Sequence, residues 1–254
     1  RKSDRDDISA ISGKTSSSIK LENIDLATIL ETNEALSSEL DLAKLLNKLI
    51  EIVIENSGAQ KGCLILLENN KLAIEALKTA ESQEIKVLQS IPIDAINVER
   101  KTTFLAVTIV NYVARTLKSE ILDNAATKER YAKDPYIVAT APKSILCIPL
   151  INQSKLIGLV YLENNLTTGA FTSDRIESVK AIASQAAISI QNARLYKERI
   201  EAEAALSQKD KQLTKFIEAM PVGVFVSNAK GEPYYLNQTA KQILGKGVES
   251  IKQE

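Results

Sequence analysis

The first two thirds of the chain alternate between helical and extended hydrophobic patterns. Apolar residues at three- and four-residue spacing begin after Asp41, a residue type that caps helix N-termini, and end at Gly58, a type that ends helices. The pattern becomes extended at 63–68 and again at 71–78, and the dipeptide Asn69-Asn70 between these runs tolerates the positive φ angles of a tight turn. The sequence therefore predicts a helix followed by a β-hairpin.

A second hairpin is predicted at 144–151 and 155–163, joined through residues 152–154. The strands of both hairpins are apolar on their two faces. A sheet built from such strands needs helices on each side, because neither face can be left in water. We therefore predict an α+β fold, in which an antiparallel sheet is covered by helices on both faces.

The segment between the two hairpins, residues 79–143, is less regular. It contains a helical run at 104–117 and a loop at 123–142, and its tyrosines and apolar residues argue against disorder. A helix and a loop lying over one face of a sheet would enclose a pocket, which we predict as the binding region. The candidate ligand-binding residues are Tyr112, Arg115, Asp123, Tyr131, Tyr136 and Ser144.

A long helix is predicted next, because neither Gly nor Pro occurs between Gly169 and Pro221 and residues 172–174 offer N-cap side chains. At roughly 1.5 Å per residue such a helix extends well beyond a small domain. Its first half is predicted to cover the sheet and its second half to leave the domain. A seam for dimerisation and signalling is predicted at Val179, Ala183, Ala186, Ile190 and Ala193, which keep a three- and four-residue spacing.

The remaining segments are short. Residues 1–20 are polar and without period, which predicts a disordered linker, and residues 21–38 have helical spacing, which predicts a lead-in helix. Residues 197–219 form the linker part of the long helix, a signalling coiled coil. Residues 220–254 combine a strand pattern, a turn and a short helix, too little to bury a core. We expect this chain, which begins with Arg1, to be a piece of a longer protein.

Composition excludes several classes of function. The 254 residues include 32 Lys and Arg against 32 Asp and Glu, so the net charge gives no basic surface for nucleic acid. The absence of histidine excludes, within these residues, a Ser-His-Asp triad, a histidine metal site and a phospho-accepting histidine. No uncharged stretch approaches the roughly 18 residues of a membrane-spanning helix. We expect a cytoplasmic protein with no nucleic-acid and no membrane partner.

The residues of the chain also give little support for catalysis. Cys63 and Cys147 lie far apart in apolar runs, which predicts buried, reduced thiols rather than a disulfide or a zinc site. No base or cation adjoins Cys147 to lower its pKa. Carboxylates such as Asp123 and Asp134 are expected to be solvated loop residues rather than an acid–base pair. No glycine-rich phosphate loop is present.

Several longer stretches carry a family resemblance. They are SSELDLAKLLNKLIEIVIENSGAQKGCLILLE (37–68), IVNYVART (109–116), KSILCIPLINQSKLIGLVYLENNLTTGAFTSDR (143–175) and ASQAAISIQNARLY (183–196). They resemble GAF domains, especially those of bacterial multi-sensor kinases, and the resemblance assigns residues 39–196 to one GAF domain. The stretch FIEAMPVGVFVSNAKGEPYYLNQTAKQILG (216–245) likewise resembles the opening of a PAS domain, so residues 220–254 are identified as its truncated N-terminal part.

The resemblance implies a binding cavity beneath the helix-and-loop segment, a homodimer formed through the flanking helices, and further PAS and histidine kinase domains in the same chain. Some GAF domains bind cyclic nucleotides, and here Asn165, Phe171 and Asp174 match the residue pattern of those members in part. Others attach a tetrapyrrole through a Cys-His pair, which has no counterpart in a chain without histidine. No cofactor is predicted, and an unknown small-molecule ligand is possible.

We therefore predict a non-catalytic sensory module of a two-component histidine kinase, which couples the binding of a small molecule or partner to output through the long helix. One alternative is a purely structural dimerisation spacer without a ligand. Another is a GAF domain that binds a cyclic nucleotide or a tetrapyrrole. An enzyme related to the methionine sulfoxide reductases of this family would need more cysteines than the two strand cysteines present.

Overall fold

The computed structural model describes residues 36–80, 82–97, 102–231 and 233–244. The predicted linker at 1–20 and most of the predicted lead-in helix at 21–38 lie outside the described residues. Of the lead-in helix, Leu36 and Ser37 are helical, and Leu36 is fully buried. The chain divides into two compact units, Arg1–Leu195 and Tyr196–Glu254, each of which is described by itself.

The first unit is built around a six-stranded antiparallel sheet. The strands of this unit are β1 (Lys61–Glu68), β2 (Lys71–Thr79), β3 (Ser82–Pro92), β4 (Ile96–Asn97), β5 (Thr102–Thr103), β6 (Glu120–Leu122), β7 (Ser144–Asn152) and β8 (Lys155–Asn164). Six of them pair in the order β3-β2-β1-β8-β7-β6, while β4 and β5 pair with each other. The two predicted hairpins are confirmed as β1–β2 and β7–β8, and β1 and β8 join them at the centre of the sheet.

Helices cover both faces of this sheet, as predicted. They are α1 (Leu42–Ser57), α2 (Val107–Thr116), α3 (Pro135–Thr140) and α4 (Ser173–Glu218), with a 3₁₀ turn at Ala125–Thr127. One hydrophobic cluster joins α1 and α4 to Leu64 and Leu66 of β1. A second cluster joins α2 and α3 to Cys63 and Ile65 of the same strand. Because side chains alternate along a strand, the two clusters lie on opposite faces of the sheet.

The bounds of α1 follow from its capping residues. The Asp41 carboxylate accepts a hydrogen bond from the Lys44 backbone N–H at 3.1 Å, which satisfies one free donor of the first turn. At the other end Gly58 has a φ of 66°, and its N–H donates to the Ile54 carbonyl at 2.9 Å. Such left-handed backbone favours glycine, so the helix ends where the sequence predicts.

The first part of α4 packs on the sheet through small side chains. The predicted seam residues Val179, Ala183, Ala186, Ile190 and Ala193 are all at most 1% exposed and belong to the cluster shared with α1. Alanine on this face lets the helix backbone approach the strands closely. The structure thus places all five residues in the packing of α4 against its own domain, and their role in dimerisation and signalling stays a prediction.

The second unit contains the rest of α4, a two-stranded hairpin of β9 (Phe225–Ser227) and β10 (Pro233–Leu236), and the short helix α5 (Gln238–Leu244). These elements agree with the strand, turn and short helix predicted from the pattern. The α4 helix itself runs without a break to Glu218. Among the described residues of the chain, no helix is both long and apolar enough to cross a membrane.

A buried amide fastens the end of α4 to the hairpin that follows. Asn237 is fully buried, and its side-chain N–H groups donate to the carbonyls of Ile217 and Val222, both at 2.9 Å. Its side-chain oxygen accepts from the backbone N–H groups of Val224 at 2.8 Å and Ala240 at 2.9 Å. All the hydrogen-bonding groups of this amide are therefore used within the second unit.

Candidate functional site

Polar side chains meet on the sheet face that α2 and α3 cover. Tyr161 and Glu163 lie two residues apart on β8, so their side chains point to the same face. Across the antiparallel register, Lys61 of β1 is paired with Glu163, and Cys63 is paired with Tyr161. Two neighbouring rows of the sheet therefore bring four chemically active side chains together beneath the helices.

The ion pair between Lys61 and Glu163 is the centre of this site. The Lys61 Nζ lies 3.6 Å from Glu163 Oε2, with the two side chains 10% and 1% exposed. The ammonium also donates to the Tyr136 hydroxyl at 2.5 Å and to the Phe104 carbonyl. Burying a charge is unfavourable unless it is paired and hydrogen-bonded, and both conditions are met here.

Two tyrosine hydroxyls complete the hydrogen bonding of Glu163. The Tyr136 hydroxyl donates to Glu163 Oε2 at 2.8 Å, and the Tyr161 hydroxyl donates to Oε1 at 2.7 Å. The Tyr161 oxygen in turn accepts from the Ala106 backbone N–H at 3.3 Å, just before α2. We call Lys61, Tyr136, Tyr161 and Glu163 the buried polar cluster; it links the sheet, the start of α2 and α3.

The electrostatics of the site keep both phenols protonated. Burial, followed by the Glu163 carboxylate, raises the pKa of Tyr136 and of Tyr161 far above the usual range of tyrosine. Burial also raises the pKa of the Cys63 thiol to about 12, against the opposing effect of Lys61. At neutral pH the phenols are therefore neutral donors to a carboxylate that Lys61 neutralises.

Asp134 sets the position of Tyr136 over the sheet. Its side chain is buried at the N-terminus of α3, where Oδ1 accepts from the backbone N–H groups of Tyr136 at 2.8 Å and Ile137 at 3.4 Å. Its Oδ2 accepts from the Thr108 N–H at 3.1 Å and from the Thr108 hydroxyl at 2.5 Å. One carboxylate thus caps α3 and ties it to the first turn of α2.

Of the predicted ligand-binding residues, only Tyr136 belongs to the buried polar cluster. Tyr112 and Tyr131 form a separate aromatic pair, with ring centroids 6.4 Å apart at an angle of 69°. The guanidinium carbon of Arg130 lies 4.3 Å from the Tyr112 ring centroid. The Tyr131 hydroxyl is buried without a hydrogen bond of ordinary geometry, and burial raises its pKa to about 12 against the opposing effect of the nearby Arg130 guanidinium.

The structure places the other three predicted residues away from the cluster. Arg115 is exposed near the end of α2, where a cation suits the helix C-terminus. The side chain of Asp123 is exposed, and its backbone carbonyl accepts from the Ser144 hydroxyl at 3.2 Å. The Thr167 carbonyl, 3.0 Å from the Ser144 hydroxyl, shares the single proton of that hydroxyl with the Asp123 carbonyl, and the hydroxyl oxygen accepts from the Ala170 N–H at 3.2 Å, so Ser144 anchors the 167–170 loop.

Sequence reasoning missed Lys61, Tyr161 and Glu163. A signal for the last two was present, because they lie at alternate positions in an otherwise apolar strand that is buried on both faces. A charged residue in such a strand needs a buried partner. The sequence does not identify that partner, because Lys61 lies on the other hairpin and is placed beside Glu163 only by the pairing register of β1 and β8.

The prediction of buried, unpaired thiols is confirmed for Cys63 and Cys147. They flank Tyr161 on one row of the sheet, in strands on either side of β8. Two interstrand spacings put their Cα atoms about 10 Å apart, beyond the reach of a disulfide. Burial raises the pKa of Cys147 above the usual thiol range, with Cys63 as a further cause, so the thiol is not activated.

In the part of the chain that the structure describes, no three Cys, Asp or Glu side chains converge as a metal site would require. The buried polar cluster instead offers one ammonium, one carboxylate and two hydroxyls. In this structure the four groups are hydrogen-bonded or ion-paired to one another.

Comparison with known proteins identifies the family. The family model described as GAF domain matches residues 41–190. The chain belongs to the GAF domain family. The match covers most of the predicted GAF domain at 39–196, and it includes every residue of the buried polar cluster.

Two relatives of this GAF domain chain are histidine kinases. The chain is 24% identical to Hybrid signal transduction histidine kinase G of Dictyostelium discoideum, over 73% of this chain and 8% of the relative. It is 23% identical to Peroxide stress-activated histidine kinase mak3 of Schizosaccharomyces pombe, over 75% of this chain and 8% of the relative. The chain thus spans less than a tenth of either relative, and both come from eukaryotes, so bacterial origin stays a prediction.

Solved structures of GAF domains share the fold. The GAF domain from an Acinetobacter phosphoenolpyruvate-protein phosphotransferase aligns with a TM-score of 0.53 at 18% identity, covering 68% of this chain and 96% of that one. The corresponding domain from Coxiella burnetii aligns with a TM-score of 0.51 at 14% identity, with the same coverage of 68% and 96%. The predicted GAF-like α+β fold is therefore confirmed.

Proposed function

We propose that this chain is a non-catalytic sensory and regulatory module of a signalling protein of the histidine kinase type. In this proposal a small molecule binds on the sheet face beneath α2 and α3, and its presence alters the packing of α4. Family membership and the histidine kinase relatives support the regulatory role. The observation that carries the binding role is the buried polar cluster.

The buried polar cluster supports recognition better than it supports stability. Replacing a buried ion pair by well-packed apolar side chains is often neutral or stabilising, so Lys61 and Glu163 are not required for a firm core. Charged and hydroxyl groups that converge within an apolar enclosure are typical of ligand sites. Their position beneath the helix-and-loop segment coincides with the cavity that the family resemblance implies.

Strand β8 provides the physical link between this site and α4. Tyr161 and Glu163 point toward α2 and α3, whereas their neighbours Val160 and Leu162 belong to the cluster that packs against α4. A displacement of β8 at the site would therefore also move the side chains that pack against α4 on the other face of the sheet. The small side chains of α4 on this face permit a second packing arrangement, and typical coupling free energies are about 1 to 3 kcal/mol.

Native mass spectrometry of the chain, purified without denaturation, tests the binding proposal. We expect a bound small molecule in the wild type and in the control variant Lys128→Met. This control removes an exposed lysine from the loop that precedes α3. The Lys61→Met/Glu163→Gln variant, which leaves no unpaired buried charge, should lack the bound mass while it keeps the helical content of the wild type. A wild type that carries no small molecule and gains no thermal stability from a metabolite panel would favour the structural spacer.

Dimerisation is the second part of the proposal, and it uses the exposed part of α4 within the second unit. Leu206, Leu213 and Phe216 are 61%, 58% and 64% exposed and repeat at seven- and three-residue spacing, as in a coiled-coil seam. The supported partner is a second copy, because a helical heptad stripe buries itself against an identical stripe. This stripe lies further along α4 than the predicted seam that includes Ile190, which packs within its own domain.

Light scattering of the Leu206→Asp/Leu213→Asp variant tests this dimer. We expect a dimeric wild type and a monomeric variant of unchanged helical content, because both side chains face solvent in one chain. Ser207→Asp adds a charge beside the seam and should stay dimeric. A monomeric wild type, or a dimer that survives the double substitution, would contradict the seam.

The domains that adjoin the module and its cellular location are also part of the proposal. We infer that residues 220–254 begin a PAS domain, which the hairpin β9–β10 followed by α5 supports, and that a histidine kinase core follows in the same chain. We further propose a cytoplasmic location. A cyclic-nucleotide or tetrapyrrole ligand remains the alternative within the sensory class, and the absorbance spectrum recorded with the native mass would distinguish a tetrapyrrole.

A further inference from the structure

One side chain of the buried polar cluster differs from the others in origin. Lys61, Tyr161 and Glu163 stand on the two central strands, whereas Tyr136 comes from the six-residue helix α3. The Tyr136 hydroxyl accepts from Lys61 and donates to Glu163, so one oxygen atom bridges the two charges. The sheet supplies a charged pair, and α3 supplies the neutral group that bridges it.

The ring of Tyr136 is enclosed together with its hydroxyl. The side chain is 2% exposed and belongs to the apolar cluster beneath α2 and α3. The Lys61 ammonium lies 4.5 Å from the ring centroid, within the range of a cation–π contact. The space between the sheet and α3 is therefore shaped around one phenol.

We propose that Lys61, Tyr161 and Glu163 form a recognition site for small neutral phenols, and that Tyr136 is its internal occupant. This inference rests on the proposed function, because it assigns a ligand class to the same site. A ligand gains access when α3 moves away from the sheet and withdraws Tyr136. The apparent affinity of the ligand is then its intrinsic affinity multiplied by the fraction of chains in which Tyr136 has left the site.

The hydrogen bonds set the ligand class. An occupant must offer an acceptor to Lys61 and a donor to Glu163 Oε2 from one point, which a hydroxyl does and an apolar group does not. A carboxylate or phosphate would face the charge of Glu163, and an amine would face that of Lys61. Tyr161 already donates to the other oxygen of Glu163, and the Ala106 N–H holds Tyr161 in place.

The Tyr136→Ala variant with added phenol tests the site, because this substitution removes the equivalent of one phenol molecule. We expect phenol to raise the melting temperature of the variant with increasing concentration, as mass action requires. Benzene fills the same space without a hydroxyl, and by calorimetry it should bind about tenfold more weakly than phenol. The wild type should respond less to phenol, since Tyr136 competes.

Two control variants separate recognition from simple filling of a void. Tyr131→Ala empties a second buried tyrosine position, whose hydroxyl has no hydrogen-bond partner, and there phenol should show no such preference over benzene. Adding Lys61→Met to Tyr136→Ala should abolish the preference for phenol. Equal binding of phenol and benzene by folded Tyr136→Ala, or binding of neither, would overturn the inference.

Tyr136→Phe keeps the test decisive if Tyr136→Ala does not fold. It preserves the ring but removes the bridging hydroxyl, so the internal occupant is more easily displaced. Phenol should then bind about tenfold more tightly to Tyr136→Phe than to the wild type, and equal affinities would refute the inference.

A ligand of another class found by native mass spectrometry, with no phenol binding, would refute this inference alone. Phenol binding without any response of α4 would refute only the sensory coupling.

Discussion

At the scale of single residues, the buried polar cluster depends on mutual neutralisation. Glu163 is buried and accepts two tyrosine hydrogen bonds, but its charge is balanced by Lys61 alone among the cluster members. Removing one partner of a buried pair leaves an uncompensated charge, which is far more unfavourable than the absence of the pair. The two residues are therefore expected to behave as one unit in mutagenesis.

We predict that Lys61→Met lowers the free energy of unfolding by about 3 to 5 kcal/mol, because Glu163 is left buried without its counter-charge. Urea unfolding measures the change. The double variant Lys61→Met/Glu163→Gln should lose less than Lys61→Met, since glutamine carries no charge, its oxygen accepts from one tyrosine hydroxyl and its NH2 donates to the other tyrosine oxygen. A double variant as unstable as the sum of the single variants would contradict the coupling.

The two buried tyrosines should respond differently to loss of the hydroxyl. Tyr136→Phe is predicted to lower the free energy of unfolding by about 1.5 to 3 kcal/mol, because its hydroxyl is bonded to a charged donor and a charged acceptor. Tyr131→Phe serves as the matched control, and it should leave stability unchanged or raise it by about 1 kcal/mol, since it removes an unpartnered buried hydroxyl. Equal losses in urea unfolding would contradict this assignment.

The site was only partly predictable at this scale. Tyr136 was accessible to sequence reasoning because a tyrosine in a loop that covers a sheet stands out by its type and place. Lys61 was not, since a lysine at the start of a strand resembles any solvated strand end. Its burial follows from the loop containing Phe104 and from α3, whose positions no local pattern encodes.

At the scale of elements, the short helix α3 is held by its capping residue rather than by its length. A helix of six residues has few internal hydrogen bonds, so satisfaction of its first N–H groups by Asp134 is decisive. The same carboxylate bonds Thr108, so α2 and α3 share one anchor. The lid over the buried polar cluster is thus built as a unit.

Asp134→Ala is predicted to lower the free energy of unfolding by about 2 kcal/mol, because it removes the α3 cap and the bond to Thr108 together. Asp41→Ala, which removes one exposed cap of α1, should lower it by only about 1 kcal/mol. Amide hydrogen exchange should accelerate at 135–140 in Asp134→Ala alone. The prediction fails if the two variants are equally stable and α3 stays protected.

Periodicity explains which elements were predicted. The two hairpins, α1 and α4 have long regular patterns and clear end signals, and all of them are confirmed. The strands β3 to β6 and helix α3 were predicted only as an irregular region, because they are short or, like β3, paired with shifts in register. Elements of this kind owe their form to their neighbours more than to their own sequence.

At the scale of the whole molecule, the absence of histidine and the buried acidic groups set the pH response. The pKa of Cys63 rises from 9.0 to about 12, and that of Tyr131 from 10.0 to about 12, while those of Tyr136 and Tyr161 are also raised. Groups whose pKa is raised on folding stabilise the fold below their unfolded pKa. That contribution disappears as the pH rises toward the folded value.

We predict a melting temperature that is nearly constant from about pH 6 to 8, where a chain without histidine has little to titrate, and that falls above about pH 9. Differential scanning calorimetry across this range checks the prediction. Tyr136→Phe should fall less steeply than the wild type, because one of the raised groups is gone. A step between pH 6 and 8, or a rise above pH 9, would contradict it.

The fold of the first unit was predictable as a whole because its hairpins, helices and family resemblance agree with each other. The burial of the predicted α4 seam was not, since a three- and four-residue spacing describes a face packed on a sheet as well as a coiled coil. Ile190 is fully buried by its own domain, which no spacing reveals. Distinguishing the two requires knowing which strands lie opposite the helix.

The central claim is that occupancy of the buried polar cluster is transmitted through β8 to α4. Methyl NMR of Tyr136→Ala titrated with phenol tests it most directly, with Ile109 and Val110 of α2 reporting occupancy and Ile182 and Ile190 of α4 reporting transmission. We predict that the methyl resonances of both groups shift with one common dissociation constant. Saturation of the shifts at Ile109 and Val110 while Ile182 and Ile190 stay unchanged would contradict the claim.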